Sequence, residues 1–123
     1  MKLLLDTHAA LWWLAGEPVG AEAERAVSDD TNRVLLSAVV VWEVAIKRSL
    51  GKLHAPPGFA KTLTDAGATP MAITLEHAAA VEHLPKHHRD PFDRLLVAQA
   101  RAEGATIVSA DRELRAYDVP VVW

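Results

Sequence analysis

The sequence predicts an α/β fold: a mostly parallel sheet of four to five strands, covered by helices on both faces. Two observations predict it. Short apolar runs alternate with longer stretches of helical composition along the chain, and such alternation builds strand–helix–strand units. The runs themselves, such as Leu3-Leu4-Leu5 and Val34-Leu35-Leu36, are continuously apolar, as in strands buried on both faces of a parallel sheet.

The elements follow from local chemistry. Lys2 to Leu5 reads as a short buried strand, followed by Asp6-Thr7-His8 and an apolar helix from about Ala9 to Ala15, stopped by Gly16 with Pro18 beyond. A second helix is predicted from Ala21 to Ser28, with Asp29 to Asn32 as the turn after it. Val34 to Ser37 is the second strand and leads into a helix from about Val39 to Leu50, closed by Gly51. Pro56-Pro57-Gly58 breaks the chain before a short helix near Phe59 to Asp65. Thr69 to Ile73 is a weaker third strand, and Thr74 caps a helix expected to reach Leu84. After a basic loop, Pro85 to Arg89, Asp90-Pro91 opens a helix that runs to Glu103 and stops at Gly104. Ala105 to Ser109 is the fourth strand, Asp111 to Arg115 a helical turn, and Val119 to Val122 a final edge strand.

A length of 123 residues suits one domain spanning 1–123. Half the residues are hydrophobic and 24% charged, which excludes a disordered chain. With no cysteine, disulfides and thiolate metal sites are impossible, in keeping with a reducing cytoplasm. Neither a signal peptide nor a membrane span is expected. The net charge of −3 argues against a nucleic-acid partner unless cations join the protein.

In open α/β sheets, ligands bind outside the carboxyl ends of the strands. Asp6 ends the first strand, Asp111 follows the fourth, Asp93 lies in the first turn of a helix, and Glu43 sits one to two turns into the helix after strand two. All four can converge on one sheet edge. Each has a bland alternative. Asp6 and Asp111 suit helix caps; Glu43 suits a surface ion pair with Lys47 at i+4; Asp93 suits the positive end of a helix dipole. Glu43 nevertheless has Val39, Val40 and Ile46 as its helical neighbours, and a carboxylate among apolar residues needs a partner. Asp90 competes with Asp93, but as the expected N-cap it is already occupied with backbone N–H groups.

Clustered carboxylates stay ionised only if something positive joins them. Oxygen-only ligands favour Mg²⁺ or Mn²⁺, ions that promote phosphodiester hydrolysis by activating water. Such ions offset the negative charge, and Lys47, Arg48, Lys52, Lys86, Arg89, Arg94 and Arg112 are then candidates to track a nucleic-acid backbone. The six histidines lack zinc-site spacing and read as solvated. Ser37, Ser49 and Ser109 lack a nucleophile-elbow context; Ser109 reads as a hydroxyl supporting the acids or as a cap. Trp12 and Trp13 are consecutive and cannot face one way, so either one enters the core and the other is exposed at an interface, or both pack against neighbouring helices. Two rivals remain: a phosphoacceptor signalling domain, which lacks an aspartate at Ile73-Thr74 and a lysine at Ser109-Ala110, and a non-catalytic binding module.

The segments Leu3-Leu4-Leu5-Asp6-Thr7-His8, Leu36-Ser37-Ala38, Trp42-Glu43-Val44-Ala45-Ile46-Lys47, His88-Arg89-Asp90-Pro91-Phe92-Asp93-Arg94-Leu95-Leu96-Val97-Ala98-Gln99-Ala100, Ser109-Ala110-Asp111 and Tyr117-Asp118-Val119-Pro120 together resemble PIN-domain toxins of the VapC type. The resemblance covers nearly the whole chain. It implies a PIN-like three-layer sandwich and Mg²⁺- or Mn²⁺-dependent endoribonuclease activity. It further implies a homodimer neutralised by a cognate VapB-type antitoxin. The family's acids fall on Asp6, Glu43, Asp93 and Asp111, and its supporting hydroxyl on Ser109, with Thr7 and Asp90 as further supporting groups.

Overall fold

Five parallel strands in the order β3-β2-β1-β4-β5 form the centre of the computed structural model, which describes residues 1–123. In chain order the elements are β1 (Lys2–Leu5), α1 (Thr7–Ala15), α2 (Ala21–Ser28), β2 (Arg33–Ser37), α3 (Ala38–Ser49), α4 (Phe59–Asp65), β3 (Thr69–Met71), α5 (Leu75–Ala80), α6 (Pro91–Glu103), β4 (Thr106–Val108) and β5 (Val121–Val122). Single 3₁₀ turns occupy Val81–His83 and Arg112–Ala116. The three-layer α/β sandwich expected from the sequence is the fold observed.

Strand β1 is central because it is the most apolar. Leu3, Leu4 and Leu5 are at most 1% exposed, and Leu4 pairs with Leu35 on one side and Ile107 on the other. Parallel pairing puts every strand's carboxyl end at one edge. Leu5 pairs with Val108, so Asp6 and Ser109 leave adjacent strands side by side.

The helix punctuation follows the sequence. Gly16 and Gly104 end α1 and α6 at φ 68° and 63°, a left-handed conformation that side chains disfavour. Helix α1 begins at Thr7, two residues earlier than expected, because Asp6 itself is the cap. Strand β3 stops at Met71 rather than Ile73; it lies at the sheet edge, where Pro70 can be tolerated without an N–H to donate. The helix expected to reach Leu84 tightens after Ala80 into the 3₁₀ turn. The final strand is shorter than expected, only Val121–Val122, and pairs with β4.

Trp13 packs against the core, whereas Trp12 lies against Trp123 with ring centroids 5.2 Å apart. Both are half-buried, in line with the alternative in which both pack and neither is exposed. His77 corrects the expectation of solvated histidines. It is 2% exposed, and its Nδ1 accepts from the Thr74 N–H at 3.1 Å. Its Nε2 donates to Glu103 Oε1 at 2.9 Å, which holds the Glu103 carboxyl below its ordinary value. The buried Gln99 completes this internal network, accepting from Ser37 Oγ at 2.5 Å. No helix is long and apolar enough to cross a membrane.

Candidate metal and active site

Asp6 is 6% exposed and uses its two oxygens for different purposes. Oδ1 accepts the Ala9 N–H at 2.8 Å and caps α1. Oδ2 accepts from the Ser109 hydroxyl. Burial raises the Asp6 pKa above its ordinary 3.8; the hydrogen bonds from Ser109 and Ala9 pull it back, and the nearby Asp111 charge raises it further. The capping role foreseen for Asp6 therefore coexists with a second, inward-facing oxygen. Ser109, 2% exposed, also accepts the Asp111 N–H at 3.0 Å, so one hydroxyl ties two acids together.

Glu43 is 5% exposed in the second turn of α3. Its Oε1 accepts from Thr7 Oγ1 at 2.6 Å, and its Oε2 meets Lys47 Nζ at 2.5 Å. The foreseen ion pair exists, but at a buried carboxylate. Glu43 raises the Lys47 pKa above 10.5 through this contact, with Asp90 and Asp93 adding to it.

Asp90 caps α6, accepting the Phe92 and Asp93 N–H groups at 2.8 and 3.2 Å. The carboxylate of Asp93 is thereby left for other partners. Its pKa is pushed up to about 7, first by burial, then by Asp90, with Glu43 and Asp6 contributing and His88 opposing. That Asp93 senses Asp6 and Glu43 electrostatically shows these acids share one region. Asp111 Oδ1 caps the last 3₁₀ turn through the Glu113 N–H at 2.9 Å. Its Oδ2 lies 3.2 Å from His88 Nε2. Glu43 is buried, whereas the Asp111 side chain is 37% exposed and is tied to Asp6 only through Ser109, which accepts the Asp111 backbone N–H.

Two residues at the site escaped the sequence reading, His88 and Glu113. His88 Nε2 is 3.3 Å from Asp93 Oδ2 and 3.5 Å from Glu113 Oε2. Potential ligand atoms of His88, Asp111 and Glu113 lie within 4.8 Å of one another. The adjacent His87-His88 pair looked like solvated loop residues. The one local hint was the position of His88 two residues before the Asp90 cap. Among the expected backbone-tracking cations, Arg94 is corrected. Its guanidinium donates to the Pro85, Val81 and Leu84 carbonyls and to Tyr117 Oη, at 2.8 to 3.4 Å, clamping the loop before α6. Lys47 is held by Glu43. Arg48, Lys52, Lys86, Arg89 and Arg112 are exposed.

Comparison with known proteins shows the family and the fold. The chain is similar to Ribonuclease VapC22 of Mycobacterium tuberculosis, 29% identical over 131 residues that cover 98% of each protein. Its fold matches a crystal structure of VapBC2 from Rickettsia felis bound to a promoter DNA fragment. The TM-score is 0.75 at 16% identity, over 100% of this chain and 99% of that one. It also matches DNA-bound VapBC from Salmonella typhimurium, with TM-score 0.70 at 15% identity over 99% and 97% of the two chains. The model of the PIN domain matches residues 3–120, a span that holds all of the first four strands except Lys2, and all four predicted acids. The chain belongs to the PIN-domain family.

Proposed function

We propose that this chain is an endoribonuclease, the toxin of a toxin–antitoxin pair, which hydrolyses RNA phosphodiester bonds at Asp6, Glu43, Asp93 and Asp111 with Mg²⁺ or Mn²⁺. One arrangement carries the reading: Ser109 joins Asp6 to the backbone of Asp111, and Asp93 lies near enough to Asp6 and Glu43 for their charges to push its pKa up. A carboxylate so crowded favours a positive neighbour, and Lys47 already serves Glu43. The donor set suits a hard cation, since the four acids offer only oxygen. When bound, such an ion supplies the Lewis acidity for attack on a phosphodiester.

The chain's own residues do the positioning. Ser109 orients Asp6 and supports the backbone of Asp111; Thr7 orients Glu43. Asp93 takes no hydrogen bond from backbone or hydroxyl, and its Oδ2 faces His88 Nε2 at 3.3 Å. Arg48, Lys52, Lys86, Arg89 and Arg112 are exposed and available for phosphate contacts. A ribonuclease name on the full-length relative supports RNA as substrate. The VapBC complexes among the fold matches support a VapB-type antitoxin as partner. Homodimer formation in a reducing cytoplasm belongs to the same reading.

The test is direct. Asp6→Asn and Asp93→Asn should abolish RNA cleavage by the purified protein while circular dichroism shows the fold retained. Either variant cleaving at the wild-type rate removes the site assignment. A calorimetric titration with Mn²⁺ separates this reading from a non-catalytic module, whose solvated acids would hold no ion tightly. Co-expression with the neighbouring small open reading frame should rescue growth.

A further inference from the structure

His88 is fixed more firmly than a loop histidine needs to be. Its backbone N–H donates to the phenol of the buried Tyr117 at 2.9 Å. Its Nδ1 accepts the Asp90 N–H at 3.1 Å. The side chain is 15% exposed and aims Nε2 between Asp111 Oδ2, Asp93 Oδ2 and Glu113 Oε2, at 3.2, 3.3 and 3.5 Å. By position alone, His88, Asp111 and Glu113 resemble a three-ligand site for a transition metal.

The hydrogen bonding is the reverse of what such a site requires. An imidazole nitrogen that accepts an N–H carries no hydrogen of its own, so the ring hydrogen resides on Nε2. A ligating histidine needs a bare nitrogen facing the ion and an N–H on the far side, donated to a carboxylate or carbonyl. Here the far side meets a donor. A hydrogen on Nδ1 would point at the Asp90 N–H, and that N–H belongs to the residue that caps α6.

We propose that His88 is a positioning residue and not a ligand: its Nε2–H spans Asp93 and Asp111 and keeps the cation site all-oxygen. The assignment rests on the nuclease reading only in taking those two acids as cation-binding. By denying the ion an imidazole, it favours Mg²⁺ and Mn²⁺ over Zn²⁺. It also joins the loop before α6 to the loop after β4, so that two acids from distant segments approach an ion as one unit.

Two measurements test it on the intact chain. The first is calorimetry with Mn²⁺ alone on the wild type, His88→Ala and His88→Gln, beside the thermal midpoints of the metal-free proteins. Loss of an outer-shell donor should weaken Mn²⁺ by about tenfold or more in His88→Ala. His88→Gln, whose amide can donate from nearly the same place, should restore most of that affinity, although both variants lose the acceptor for the Asp90 N–H and should melt below the wild type by a similar amount. Equal Mn²⁺ binding by His88→Ala and the wild type, or equal loss in both variants, overturns the proposal. The second is the ¹H–¹⁵N imidazole spectrum of the wild type, metal-free and saturated with Mg²⁺, with His88 assigned by its absence from the His88→Gln spectrum. A bare Nδ1 and protonated Nε2 in both states is the expected result. A hydrogen on Nδ1 in either state refutes it. Neither measurement involves RNA, so a wild type that failed to cleave would remove the nuclease reading while leaving this assignment standing.

Discussion

Replacing Asp93 by asparagine should make the metal-free protein more stable, and the gain should depend on pH in a defined direction. Burial and neighbouring acids raise the Asp93 pKa from 3.8 to about 7. A folded-state pKa above the unfolded one means that the folded protein binds the extra proton, so stability falls as pH rises between the two values. The contribution is intact below about pH 4, is lost progressively up to about pH 7, and stays lost above. Across that interval, at about 1.4 kcal/mol per pH unit, the penalty is capped at about 4 kcal/mol. Water penetration and relaxation around a side chain that is 23% exposed reduce the working figure to about 2 kcal/mol. For a chain of this length that is a rise in Tm of roughly 6–8 °C. Differential scanning calorimetry in chelator from pH 4 to pH 9 is the assay. Asp93→Asn should melt above the wild type at pH 8, and the two curves should converge toward pH 4. Saturating Mn²⁺ should raise the wild type and leave the variant nearly unmoved. An Asp93→Asn protein that melts at or below the wild type at pH 8, or a difference independent of pH, would refute the account of crowded acids.

Four other substitutions probe the site and the frame around it. Ser109→Ala removes a donor to the buried Asp6 oxygen and an acceptor for the Asp111 N–H; it should lower stability by about 1–3 kcal/mol in urea titrations and weaken Mn²⁺ binding. Arg94→Lys cannot reproduce a guanidinium that reaches three carbonyls and a phenol, so it should reduce stability by about 1–3 kcal/mol. Arg89→Ala, by contrast, should leave the midpoint unchanged and lower RNA affinity. At Gly20, an added Cβ would lie 2.2 Å from the Trp123 carbonyl carbon. Gly20→Ala should therefore displace that backbone and cost about 1–3 kcal/mol, read as a drop in Tm.

Much of the fold was legible because its signals are local. Gly16, Gly104, Thr74 and the Asp90-Pro91 pair mark helix ends through their own backbone chemistry, and the structure uses each where the sequence places it. Leu3-Leu4-Leu5 announces a strand buried on both faces by having no polar face to offer. The four acids were legible as candidates because strand ends in a parallel sheet share an edge, whatever lies between them in the chain. What stayed hidden depends on contacts between distant segments. Arg94 looked like a free cation because nothing near it in sequence shows Val81, Leu84 and Pro85 turning their carbonyls toward it. His88 looked solvated for the same reason; its acid partners lie 5, 23 and 25 positions away. The capping reading of Asp6 is realised with one oxygen only, which leaves the other beside Ser109 and the metal-site reading open to test.

The sheet order β3-β2-β1-β4-β5 also carries a consequence for biosynthesis. The first strand made is the central one, and it gains its second neighbour only when β4 has been translated. Ser109 and Asp111 come later still, so a nascent chain holding Asp6, Glu43 and even Asp93 lacks the segment that completes the carboxylate edge. If that edge is the seat of RNA cleavage, a ribosome making this protein is shielded from it until most of the chain has emerged. Premature termination anywhere before β4 yields a fragment without the finished site.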